Sequence, residues 1–296
     1  MEVLPKSLGS SSSISKIRLS EKYEMTTRWT SMNVLNKEYQ QLQEQIQSLS
    51  EKWSAQLENV TLAATEHLSS IQHFPALPHL KLNVNFETYR NFILELYELL
   101  EKNQPSLADD FKKLSPKLTD ETLEHWFKEA VAVNNFYFDK YAKEQQVAEW
   151  LPFFAAEQAI RPFLQKISSE IAPLLKKDDG IGGCPSCGEP PRVAVINKSG
   201  KKEITCPRCL YAWEVKKIKC AHCGNEEPGK IEVLKVEKDD RAEVHVCEDC
   251  HGYTKVIDTR KLIKKEPIQL LDLKTIHLDF IAQENGYGEV ESEETH

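Results

Sequence analysis

The chain has 296 residues and carries 38 Lys and Arg against 46 Asp and Glu, a net charge of -8. At 28% charged and 40% hydrophobic residues, it can bury cores for about two domains. The acidic balance argues against a surface devoted to nucleic acid or an anionic membrane, and no run approaches the ~20 apolar residues of a membrane-spanning helix.

Residues 1–30 read as a flexible leader. Met1-Glu2-Val3-Leu4-Pro5-Lys6 runs into a serine stretch, Ser10 to Ser13, with no apolar segment of a secretory signal. A cytoplasmic protein is expected. Residues 31–179 form a helical domain. Leu35, Tyr39, Leu42, Ile46, Leu49, Trp53, Leu57 and Val60 recur at steps of three and four, which places them on one stripe of a helix. A packed amphipathic helix fits this run better than an independent coiled coil, which needs more heptads. Pro75 and Pro78 interrupt the chain. A helix follows over 86–102, with Asn85 as its cap and Phe86, Tyr89, Phe92, Ile93, Leu96, Tyr97 and Leu100 inward. Further helices are predicted over 107–114, 121–133, 138–151 and 153–175, with Pro152 and Pro162 breaking or kinking the last stretch. The sum is an all-α bundle of five or six helices.

The texture changes at Lys176-Lys177-Asp178-Asp179-Gly180-Ile181-Gly182-Gly183, a charged and then glycine-rich boundary. Short β-like runs follow over 192–197, 203–206, 211–219, 231–237, 242–246 and 253–258. They divide into a first ribbon, 180–218, and a second, 219–265. The remainder, 266–296, holds a helix over 271–284, stopped by Asn285-Gly286, and an acidic tail. The fold class is therefore α+β: a helical bundle, two small β modules of rubredoxin or zinc-ribbon type, and a C-terminal helix.

All eight cysteines lie in the two ribbons, as four C-x-x-C pairs: Cys184 and Cys187, Cys206 and Cys209, Cys220 and Cys223, Cys247 and Cys250. Two residues between thiols let a tight turn aim both sulfurs at one point. Two such turns complete a tetrahedron around zinc or iron. Eighteen residues separate Cys187 from Cys206 and twenty-three separate Cys223 from Cys247, each room for a β-hairpin. Consecutive pairs should therefore share a site, giving two metal ions, iron or zinc, each held by four cysteines. The metals would at least staple a region too small and polar to fold alone. Clustered thiols without a secretory signal also indicate a reducing compartment.

A thioredoxin-like dithiol is disfavoured, since no βαβ pattern frames the pairs and four redundant dithiols would be unusual. His222 and His251 lie in or beside pairs already complete, and are expected on the surface. No G-x-S-x-G, H-E-x-x-H or phosphate loop occurs, and saturated tetrathiolate sites leave no position for substrate, so no enzyme activity is expected. Between Gly180 and Lys265 there are 17 Lys and Arg against 13 Asp and Glu. Two divalent tetrathiolate sites would cancel that excess, so nucleic acid is not an expected partner. A local patch at Lys216, Lys217 and Lys219 is the exception.

Taken in order, the motifs carry a resemblance. A helical domain precedes Cys184-Pro185-Ser186-Cys187-Gly188, then Cys206-Pro207-Arg208-Cys209 with Trp213 close behind. Lys219-Cys220-Ala221-His222-Cys223 and Cys247-Glu248-Asp249-Cys250-His251-Gly252-Tyr253-Thr254-Lys255 follow, and a closing helix with Leu278-Asp279 ends at Gly286-Tyr287. The chain resembles the formate dehydrogenase accessory (formation) protein family, FdhE, over roughly residues 33–287. The likeness is specific in the cysteine half and loose in the helical half.

The resemblance implies a cytoplasmic maturation factor with two rubredoxin-like modules. It would contact the catalytic subunit of formate dehydrogenase and be needed for active enzyme. It also implies that the eight cysteines are the metal-linked positions. The serine-rich leader departs from the family pattern. So does the acidic stretch 289–296, where a short apolar, proline-containing close is expected. The runner-up reading is a zinc-ribbon module that binds nucleic acid or a transcription complex, and the third is a thiol oxidoreductase.

Overall fold

A computed structural model of the chain describes residues 37–62, 74–175, 182–236 and 239–288. Leu35, the leader at 1–30, the boundary residues 176–181 and the acidic stretch 289–296 lie outside the described residues. Among those described, no helix is long and apolar enough to cross a membrane.

The N-terminal part is helical. Helix α1 spans Lys37–Gln56. It buries Leu42, Ile46 and Trp53, and Leu57 is buried just beyond its end. The predicted stripe is longer than the buried one: Tyr39 and Val60 are 45% and 39% exposed. Val60 lies past the helix terminus, and Tyr39 lines an open cleft instead of the core. Helix α2 spans Phe86–Asn103, and the Asn85 side chain accepts the Thr88 N–H as expected of a cap. Helix α3, Ala108–Leu114, is preceded by a 3-10 turn over Pro105–Leu107. Helix α4 spans Asp120–Val131 behind the Thr119 cap.

Helix α5 spans Asn135–Gln145, earlier at both ends than the predicted 138–151. Asn134 caps it, and Gln146 ends it in the left-handed conformation at φ 54. Helix α6 runs over Leu151–Ile171, so of the break or kink expected at Pro162 the break does not occur. Pro152 sits in the first turn, where its missing N–H costs nothing. Pro162 is internal and buried. The helix is the central rod of the bundle: Ala155, Ala156, Ala159, Ile160, Phe163, Leu164 and Ile167 are fully buried. That tertiary burial outweighs the ~3 kcal/mol that an internal proline costs. Tyr89, Phe127 and Phe163 meet edge-on at its centre, 5.5–5.8 Å apart.

The C-terminal part is built on six strands: β1 Val193–Ile196, β2 Lys202–Thr205, β3 Ala212–Val215, β4 Ile231–Val236, β5 Asp239–Cys247 and β6 Tyr253–Asp258. Each group of three is an antiparallel meander. The two meanders join through a parallel pairing of β1 with β6, Ala194 opposite Val256, into one sheet of order β3-β2-β1-β6-β5-β4. The expected closing helix is two, α7 Ile268–Lys274 and α8 Ile276–Glu284, divided at Thr275, whose ψ of 20° departs from helix geometry. Gly286, at φ 81, stops the second.

Strand alternation divides the sheet between two cores. Val193, Val244, Val246 and Ile257 pack with Leu271, Leu278 and Ile281 of the C-terminal helices. Ala194, Ile204, Trp213 and Val256 belong instead to the core of the helical bundle.

Arg208 fixes the first ribbon onto that bundle. Its guanidinium is buried and donates to both carboxylate oxygens of Glu157 on α6, at 2.9–3.2 Å. It also donates to the carbonyls of Ala130 and Val131 at the C-terminal end of α4, where the helix dipole favours a cation. Arg208→Ala is expected to cost about 3 kcal/mol, the low end for a broken buried pair, because Arg161 still reaches Glu157 at 3.3 Å. The double variant Arg208→Met/Glu157→Leu should recover much of that loss in urea denaturation.

Candidate metal centres

The four C-x-x-C segments fold into the same turn. In each, the first cysteine's N–H donates to the carbonyl five residues on, at 2.8–3.0 Å, and its carbonyl accepts the N–H four residues on, also at 2.8–3.0 Å. The residue directly after the second cysteine closes the turn in the left-handed region. These are Gly188 (φ 83), Leu210 (φ 62), Gly224 (φ 79) and His251 (φ 53). Two turns thus carry a conformation that glycine adopts freely and a branched side chain does not.

The structure brings together the sulfurs that the spacing pairs. One cluster is Cys184, Cys187, Cys206 and Cys209, the other Cys220, Cys223, Cys247 and Cys250, and within each all Sγ atoms lie inside 4.8 Å of one another. Cys184–Cys209 and Cys187–Cys206 stand 3.5 and 3.6 Å apart, and Cys220–Cys250 and Cys223–Cys247 both 3.7 Å. These separations are far beyond a disulfide. They match the edge of a tetrahedron whose corners lie ~2.3 Å from a central ion, about 3.7–3.8 Å. Both donor sets therefore fit a zinc or iron ion.

Electrostatics in the first cluster point the same way. Hydrogen bonding to Cys184, together with burial, pushes the Cys187 and Cys206 thiols up, while bonds from Cys184, Cys187 and Cys206 pull Cys209 down. Four buried thiols can all ionise only with a cation to offset their charge.

The surroundings of the two clusters differ. The first lies between ribbon and bundle, and its cysteines are 1–7% exposed. Backbone N–H groups of Ala76 and Leu77 donate to the carbonyls of Pro185 and Ser186 at 2.9 and 2.8 Å. Arg208, inside the second turn, reaches the helices. In the second cluster Cys220 and Cys247 are buried, and Cys223 and Cys250 are exposed.

Neither flanking histidine belongs to a cluster. His251 is exposed, as expected. His222 is not: its ring is half-buried, its Nε2 lies 2.8 Å from the Tyr253 carbonyl, and it fills the space beside Gly252. A Cβ on Gly252 would come within 2.7 Å of that ring. Burial lowers the His222 pKa and keeps it neutral. In the suggested basic patch, Lys216 and Lys219 both pair with Glu226, which offsets one of their charges.

Two buried lysines escape the motif reading. Lys255 on β6 binds Asp272 and Asp279 at 2.6 and 2.7 Å, and so ties the C-terminal helices to the sheet. Lys202 on β2 meets His245 Nδ1 at 3.3 Å, and His245 Nε2 in turn meets Glu243 at 2.9 Å. This chain links the first ribbon to the second. The available signal was register: Lys202 lies on the same strand face as Ile204, and Lys255 on the same face as Ile257.

Residues 218–293 match the FdhE C-terminal domain. The chain is 35% identical over 112 residues to the FdhE homolog of Aquifex aeolicus, a match covering 36% of this chain and 39% of that protein. It is 30% identical over 114 residues to the homolog of Pseudomonas aeruginosa, covering 35% and 36%. Against FdhE of Escherichia coli O127:H6 it is 30% identical over 108 residues, covering 35% and 34%. These sequence matches thus span little over a third of each curated relative.

The C-terminal part of the chain is similar to FdhE proteins. The crystal structure of the FdhE protein from Pseudomonas aeruginosa shares its fold, with a TM-score of 0.53 at 21% identity over 82% of this chain and 84% of that one. The FdhE-type fold here therefore includes the helical bundle as well as the ribbons.

Leu210→Gly should raise stability by about 1 kcal/mol, because glycine relieves the left-handed strain by more than it adds chain entropy. A higher urea midpoint in the metal-loaded protein would show this, and Leu210→Ala should give no such gain. A second expectation concerns Lys202, whose ammonium burial pushes down to about 8 from an ordinary value of ~10.4. Between those values the unfolded chain binds more protons. The group's unfavourable contribution is therefore complete below pH 8 and fades as pH rises toward 10.5. Lys202→Met should remove this slope, worth up to about 3 kcal/mol, from the difference between wild-type and variant denaturation curves.

Proposed function

We propose that this chain is a cytoplasmic accessory protein that binds the catalytic subunit of formate dehydrogenase and supports formation of the active enzyme, with each cysteine cluster holding one metal ion, iron or zinc. The observation that carries the reading is the pair of four-cysteine clusters in a chain whose residues 218–293 match the FdhE C-terminal domain. Four thiolates saturate a tetrahedral ion and leave no place for substrate or activated water, which favours a binding role over catalysis. The units separated by sequence have complementary parts in this reading. The described helices of the bundle are the body, the two ribbons present rigid metal-stapled turns, and helices α7 and α8 brace the second ribbon. Iron would add the capacity to take up or give one electron beside the client, and zinc would supply rigidity alone.

The chain's net charge of -8 weighs against the zinc-ribbon alternative, a nucleic-acid module. Tagged full-length chain purified without air should carry two metal ions and co-purify the formate dehydrogenase catalytic subunit. Iron would show as sulfur-to-iron charge-transfer absorption in the visible. A folded chain that holds no metal, or salt-dependent nucleic-acid binding without any client subunit, would overturn the reading.

A further inference from the structure

The two clusters share a donor set and a turn, yet differ in access. All four sulfurs of the first are buried in the core that joins ribbon and helices. Backbone bonds from Ala76 and Leu77 cover one of its turns, and the Arg208 ion pair anchors the other. An incoming ligand could reach those sulfurs only if the ribbon left the bundle.

In the second cluster, Cys223 and Cys250 face solvent, and they come from two different turns. Glu248, Asp249 and His251 around the fourth turn are exposed as well. Cys220 and Cys247 hold the buried side. A ligand could therefore replace Cys223 and Cys250 while the other two cysteines keep their grip and the sheet stays paired.

We propose that the second cluster is an exchange centre, which passes its metal to or receives it from an exogenous thiolate through Cys223 and Cys250, and that the first is a permanent staple. The inference rests on the two-metal reading above. In the exchange the Cys223 thiolate yields its place to an incoming thiolate, so one sulfur–metal bond breaks as another forms. The released Cys223 takes up the proton that the incoming thiol gave up. Cys250 follows in the same way, and no electron changes hands. Thiolate exchange of this kind is governed by access and by the attacking thiolate, and access is where the two clusters part.

The test uses the full-length chain loaded with two zinc ions. It is mixed separately with dithiothreitol and with a Cys-x-x-Cys peptide, each with a chromogenic zinc indicator. One ion should leave at least about tenfold faster than the other, as access-controlled thiol chemistry predicts. Timed alkylation with iodoacetamide, read by mass spectrometry, should label Cys223 and Cys250 first and leave Cys184, Cys187, Cys206 and Cys209 protected. The two probes separate a small-molecule acceptor from a peptide one, and fast loss of one ion to either supports the proposal. Release of both ions in one phase, or early labelling in the first cluster, would overturn it while leaving the two-metal reading intact. A folded chain that binds no zinc would overturn both.

Discussion

The C-terminal half depends on the convergence of four sulfurs at each of two points. Strands β1, β2 and β3 have four residues each, and hairpins of that length are marginal in water. Each cluster closes such a hairpin. In the first unit a cysteine turn precedes β1 and another separates β2 from β3. In the second, one precedes β4 and another separates β5 from β6. The order of turn, hairpin, turn, strand thus occurs twice. The units join head to tail, the first strand of one beside the last strand of the other, through the parallel β1–β6 pairing. A cation at each cluster would supply the closure that so little apolar area cannot.

Three buried cations then fix how the parts sit together. Arg208 ties the first ribbon to the helices, Lys202 ties it to the second ribbon, and Lys255 ties the second ribbon to the C-terminal helices. Such groups add little net stability, because desolvation consumes most of the attraction. Their effect is on arrangement: each would be left buried without its partner in any other docking. Arg208 is the most consequential, since it lies inside a cysteine turn. The position of the first cluster is therefore coupled to the end of α4 and the middle of α6.

The cysteine clusters were legible because ligand spacing is local, and the structure adds only which turn carries which left-handed residue. Helix starts were legible where a cap stood, as at Asn85, and were misplaced at α5, where the Asn134 cap was passed over and the start set at Phe138. That Pro162 does not break α6 has a different reason. A proline penalty is local, while the packing that overrides it comes from four other helices. The β1–β6 pairing was not legible, since a parallel contact across some sixty residues leaves no turn signature. Lys202 and Lys255 carried no signal of burial, because nothing local shows that the face they share with Ile204 and Ile257 is covered.

That same limit explains why two sites alike in sequence differ in character. Spacing sets the donors, and the repeated turn sets their geometry, so the intrinsic fit for a tetrahedral ion is nearly equal at both. What differs is the far surface. On the first ribbon, alternation sends Ala194, Ile204 and Trp213 into the helical core, and the cluster at the root of those strands goes with them. On the second ribbon the apolar face packs under α7 and α8, and those helices leave Cys223 and Cys250 uncovered. The first centre cannot be dismantled without parting two domains' worth of packing. The second is held by its own ribbon and by a few bonds at its edge, from Gly182 to the Ala221 carbonyl and from Gly288 to the His251 carbonyl. Reactivity in this chain is thus assigned by which neighbour a sheet face meets.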